Sequence, residues 1–65
     1  MADFTIINHG SILLLTPQNA QAKSWVAEHL DDPETQHYAG GVVIEPRFWP
    51  AIEGGIADDG LTVES

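Results

Sequence analysis

The chain is expected to fold as one α+β domain: two layers, with two helices on one face of a mixed four-stranded sheet. Three observations predict this. Short β-branched and leucine-rich runs alternate with two longer stretches whose apolar residues recur at helical spacing. The boundaries between these stretches carry Gly, Pro, Asn or Asp. The chain also has only 65 residues, too few for two cores, so residues 1–65 are read as a single domain.

Phe4–Ile7 and Ser11–Leu15 read as strands. The Asn8-His9-Gly10 stretch between them signals a hairpin, with Gly10 in a left-handed conformation. Ile12 and Leu14 point to one face, Leu13 and Leu15 to the other. A strand apolar on both faces belongs inside the sheet. Thr16-Pro17 predicts a helix start, because threonine caps exposed amides and proline needs no N–H partner at the first helical position. Ala22, Trp25, Val26, His29 and Leu30 then share one helical face. Asp31-Asp32-Pro33 ends that helix, with two aspartates placed against the macrodipole at about 0.3–1 kcal/mol each.

Glu34–Gly41 is polar and glycine-containing, and reads as a loop. Val42–Ile44 reads as a third strand. Pro46–Asp58 reads as a second helix, with Phe48, Trp49, Ile52, Gly55 and Ile56 within an arc of about 120°. Pro46 and Pro50 confine its start to Arg47, Phe48 or Trp49. Gly54-Gly55 weakens it by about 1 kcal/mol per glycine, which predicts a close approach to the sheet there. Asp59-Gly60 is the stop, and Leu61–Val63 is the last strand. The order is β-β-α-β-α-β. The third strand, second helix and last strand are suited to a parallel crossover.

Charge is the strongest functional signal. Ten acids face two bases, a net charge of −8. Such a surface repels nucleic acid and anionic membranes, and attracts basic proteins, many of which bind DNA or RNA. Direct nucleic-acid binding needs a basic stripe, and Lys23 and Arg47 are the only bases. Gly40-Gly41 and Gly54-Gly55 are not followed by the Lys-Ser/Thr of a phosphate loop. The apolar content of 43 % separates the chain from disordered acidic tails.

Catalytic and metal chemistry find little support. Ser11, Ser24 and Ser65 lie in no nucleophile motif, and the carboxylate pairs adjoin helix ends, so no enzyme activity is expected. His29, Asp31, Asp32, Glu34 and His37 crowd together, but their spacing fits neither a structural zinc site nor a calcium loop. His29 also falls in the first helix's apolar stripe, where a packing histidine is expected. No metal or cofactor is expected. The absence of cysteine rules out disulfides and fits a reducing cytoplasm. Met1-Ala2-Asp3-Phe4 lacks the positive region of a signal peptide, and no apolar run approaches the roughly 20 residues of a membrane span. A monomer or small homo-oligomer is expected, since self-repulsion opposes large assemblies.

The segments Asn8-His9-Gly10-Ser11-Ile12, Gly41-Val42-Val43-Ile44-Glu45-Pro46-Arg47 and Asp59-Gly60-Leu61-Thr62-Val63 resemble short proteins of proteobacterial phages and mobile elements. The likeness runs from about residue 4 to 63. Size, acidity and lack of cysteine are also similar to small anti-CRISPR proteins acting on type I systems. This resemblance implies a cytoplasmic inhibitor, in a bacterial host, that docks on the basic DNA-binding channel of a CRISPR effector complex. It carries no functional residues over by motif.

The candidate partner-binding residues therefore rest on charge alone: Glu28, Asp31, Asp32 and Glu34 after the first helix, Glu53, Asp58 and Asp59 on and after the second, and Glu45 and Glu64 extending them. A folded chain of this length is about 28 Å across. Duplex DNA of that length carries roughly 16 phosphates and shows a protein about half of them. A charge of −8 is of that order, so clustered acids would mimic DNA. Two other readings stand beside this one. An acidic surface also serves plain solubility. Alternatively, a regulatory or assembly module would bind its partner through an exposed Tyr38, Phe48 or Trp49.

Overall fold

A computed structural model describes residues 2–30, 35–38 and 40–65. The fold is α+β, with a mixed five-stranded sheet and two helices. The strands are β1 (Phe4–Asn8), β2 (Leu13–Pro17), β3 (His37–Tyr38), β4 (Gly41–Ile44) and β5 (Val63–Glu64), and the helices are α1 (Ala20–His29) and α2 (Trp49–Asp58). Their order in the sheet is β3-β4-β2-β1-β5. β1 pairs with β5 in parallel, and the other pairs are antiparallel.

The first hairpin forms as the sequence predicts. Gly10 sits at φ 86°, and the Asn8 side-chain oxygen accepts from its N–H at 2.7 Å. β2 is the central strand, as its two apolar faces require. It begins two residues later than expected and extends through Thr16-Pro17.

That extension overturns the predicted helix start. Thr16 and Pro17 pair with Thr5 and Phe4 of β1. A residue before proline is steered to extended backbone, and proline tolerates a strand end. The cap is instead Asn19, whose side-chain oxygen accepts from the Ala22 N–H at 2.8 Å.

The expected loop 34–41 also contains a strand. β3 pairs His37 with Val42 and Tyr38 with Gly41, and Gly40 at φ 81° lies in the connection. The sheet therefore has five strands where four were expected, in the order β-β-α-β-β-α-β. Two polar-looking residues gave no hydrophobic alternation to read, because β3 is an exposed edge.

Proline and glycine shape the second helical segment. Pro46–Phe48 is a 3₁₀ turn, and α2 follows with Pro50 in its first turn. A Cβ on Gly55 would lie 3.4 Å from the Trp25 ring. The close approach is thus to α1, not to the sheet as expected. β5 is shifted to Val63–Glu64, and Leu61 ahead of it is buried. β4 and β5 run parallel, as the crossover requires, but β2 and β1 lie between them.

Register explains the core. Phe4 and Ile6, Leu13 and Leu15, Val42 and Ile44, and Val63 share one sheet face. Ala22 and Trp25 from α1 and Ile56 from α2 pack onto that face in one cluster, so both helices cover the same side. Phe4 meets Trp25 edge to face, with ring centroids 5.9 Å apart.

Asp3 ties three elements together. Its carboxylate accepts from Asn19 Nδ2 at 2.7 Å and from the Thr62 N–H at 2.9 Å. The α1 cap, the β1 start and the β5 approach thus meet at one side chain. These bonds, that of Asn19 first, hold the Asp3 carboxyl below its ordinary value of 3.8.

Candidate functional site: the acidic surface

The helix layer carries most of the acids that the structure describes. Glu28 is exposed on α1, and Glu53 and Asp58 are exposed on α2. Each lies off the stripe that packs on the sheet: Ala22 and Trp25 on α1, Ile52 and Ile56 on α2. Among the described residues, none of these three forms an ion pair.

Asp59 behaves differently. It caps the C-terminus of α2 and reaches across to α1. Its Oδ2 accepts from the Trp25 indole N–H at 2.6 Å and lies 3.4 Å from His29 Nε2. His29 stacks on Trp25 with centroids 4.5 Å apart. His29 is therefore a packing residue on one ring face, with its side chain 47 % exposed. Asp59 sits close to the helical phase of Ile52 and Ile56, so the α2 side that packs on the core also turns this half-exposed carboxylate toward α1. Its main role here is to join the two helices.

Glu45 is engaged as well. Its Oε2 lies 2.8 Å from Arg47 Nε, and the Arg47 guanidinium rests 4.8 Å over the Phe48 ring. One of the two bases is thereby neutralised locally. Glu64 pairs with Thr5 in the β1–β5 register, while neighbouring Val63 packs into the core. Alternation turns Glu64 to the sheet face away from the helices. Asp31, Asp32 and Glu34 lie outside the described residues.

The structure thus places Glu28, Glu53, Asp58 and Asp59 on or at the ends of the two helices, with Asp59 turned toward α1. Glu45 is set apart in its own ion pair, and Glu64 faces the other side. Of the aromatic candidates, Tyr38 and Phe48 are 65 % and 52 % exposed, whereas Trp49 packs against the core. Among the described residues no three His, Asp or Glu side chains converge as a metal site, and no helix is long and apolar enough to cross a membrane.

Charge counting could not find the roles of Asp3 and Asp59. Each bonds partners far away in sequence: Thr62 is 59 residues from Asp3, and Trp25 is 34 from Asp59. The chain matches no protein-family model, no curated protein and no solved structure.

Proposed function

We propose that this protein is a stoichiometric inhibitor that occupies the basic DNA-binding surface of a larger machine and competes there with DNA. The target favoured by its size and acidity is a type I CRISPR effector complex. One observation carries the reading: a net charge of −8 on a domain of 27 × 25 × 22 Å, with Glu28, Glu53 and Asp58 exposed on the helix layer. Duplex DNA 27 Å long presents about eight phosphates to one side, at one charge per roughly 1.7 Å over both strands. Carboxylates would pair with the target's lysines and arginines and release the counterions that DNA otherwise releases. Binding then weakens steeply as salt rises.

The test is displacement of DNA from a purified type I effector by the parent chain and by the Glu28→Lys, Glu53→Lys, Asp58→Lys triple variant. The variant should need at least about tenfold more protein at physiological salt, since rim charges act mainly on association. Equal displacement by both proteins, or none by the parent, refutes the reading.

A second reading has its own support in the exposure of Tyr38 and Phe48. A module that binds a protein partner through these rings would hold its affinity as salt rises.

A further inference from the structure

The turn that ends α2 holds the chain's single Asp-Gly pair, Asp59-Gly60, and the sequence has no Asn-Gly. Two separate structural needs set these residues side by side. Gly60 sits at φ 78°, the left-handed position beyond the helix cap. Its N–H donates to the Ala57 carbonyl at 3.0 Å, and the Leu61 N–H donates to the Ile56 carbonyl at 3.1 Å. Those two bonds make a Schellman turn, with Leu61 buried behind it. Asp59 occupies the cap and gives its carboxylate to the Trp25 indole N–H.

A peptide nitrogen that follows an aspartate can attack that residue's own Cγ, and before glycine no side chain shields the nitrogen. We propose that Asp59 is a site of spontaneous isomerisation to isoaspartate, which the native fold blocks and unfolding releases. The Gly60 nitrogen bonds to Cγ of the protonated carboxyl and gives up its proton. One water leaves, and a five-membered succinimide forms. Water then opens the ring. Cleavage of the Cγ–N bond restores aspartate, whereas cleavage at the α-carbonyl leaves isoaspartate, with the main chain routed through Cγ. One water leaves and one returns, so no other reactant is needed.

The fold opposes the attack at both reacting groups. Ring closure requires Cβ and the Gly60 nitrogen to eclipse about the Cα–C bond. Asp59 stands at ψ 9°, about a third of a turn from that arrangement. Rotating there breaks the Gly60 and Leu61 bonds of the Schellman turn. The Trp25 indole meanwhile holds Asp59 Oδ2 at 2.6 Å and keeps the carboxylate turned toward α1. Unfolding removes all of these restraints together. Isoaspartate then adds a methylene to the main chain inside the turn, and its free carboxylate sits directly on Cα, one carbon short of the reach to Trp25. A chain that spends long unfolded therefore loses the bond between α1 and α2 permanently. This modification does not depend on the inhibitor reading.

The test incubates the full chain at neutral pH and physiological temperature, both native and in guanidinium chloride. Peptide mapping with electron-transfer fragmentation follows isoaspartate at position 59. It should form at least about tenfold more slowly in the native chain, because attack waits for a rarely populated open turn. Trp25→Phe keeps a ring and removes the N–H donor, and should raise the native rate at least about threefold. If circular dichroism shows that variant unfolded, Gly54→Ala takes its place, and its firmer α2 should lower the native rate at least about twofold. The purified isoaspartate form should melt at least about 7 °C below the parent. Equal rates in the native and denatured chains overturn the proposal. So does a denatured chain in which position 59 isomerises no faster than the other aspartates, or a folded Trp25→Phe or Gly54→Ala variant that keeps the parent's rate.

Discussion

Replacing Asp59 with alanine should destabilise the fold although the residue lies at a helix end on the surface. Trp25 is 6 % exposed, and its indole N–H donates to Asp59 Oδ2 at 2.6 Å. A hydrogen bond to a charged group contributes about 1.5–3 kcal/mol net. The Asp59 side chain is 50 % exposed, so water recovers part of the loss when the carboxylate goes. The expected cost is about 1–2 kcal/mol. Unfolding entropy near 2.1 cal/mol/K per residue gives roughly 137 cal/mol/K for this chain, so each kcal/mol lowers Tm by about 7 °C. Asp59→Ala should therefore melt about 7–14 °C below the parent at neutral pH, followed by circular dichroism. Asp59→Asn keeps an acceptor oxygen and should lose about half as much. If the alanine variant melts within about 2 °C of the parent, the cross-helix bond contributes nothing, and Asp59 returns to the pool of free surface acids.

Two glycines should respond in opposite directions. A Cβ at Gly41 would stand 2.7 Å from Thr16 Oγ1 and 3.0 Å from the Leu15 carbonyl oxygen, so Gly41→Ala should cost about 1–3 kcal/mol in denaturant melts. Gly54 has nothing within 4 Å of that position, and Gly54→Ala in α2 should stabilise by about 0.5–1 kcal/mol. Asp3 predicts an acid dependence. Its folded pKa is lowered, so its contribution is present above its ordinary value of 3.8 and fades as pH falls through the folded value. Asp3→Asn should flatten the stability profile in that acid window, and an unchanged profile would show that the carboxylate bonds do not contribute.

Much of the architecture was legible in the sequence. β1, the β2 interior position, β4, the α1 face and the Trp49, Ile52 and Ile56 part of the α2 face follow from periodicity, and Gly10 from its turn chemistry, whereas Phe48, expected on the α2 face, lies in the 3₁₀ turn and is half exposed. The errors lie where two local rules compete. Thr16-Pro17 satisfies a helix cap and a strand end equally well, and pairing with β1 decides between them. β3 has two residues, too few to show alternation, and exists because β4 offers it a partner. The candidate site was legible only as a count of charges. Glu28, Glu53 and Asp58 are exposed as solvated helix residues should be, but nothing local distinguishes Asp59 from Asp58.

The sequence by itself determined the α+β class, the net charge and the shortage of bases, because composition and period are properties of the chain alone. Only the tertiary structure decided which acids are free. Asp3, Glu45 and Asp59 are each held by a partner, and for Asp3 and Asp59 folding brings that partner in from far along the chain. It also decided that the helices share one face and leave Ile7 and Tyr38 exposed on the other. A strand apolar on both sides states that both faces avoid water, but not which one the helices will cover.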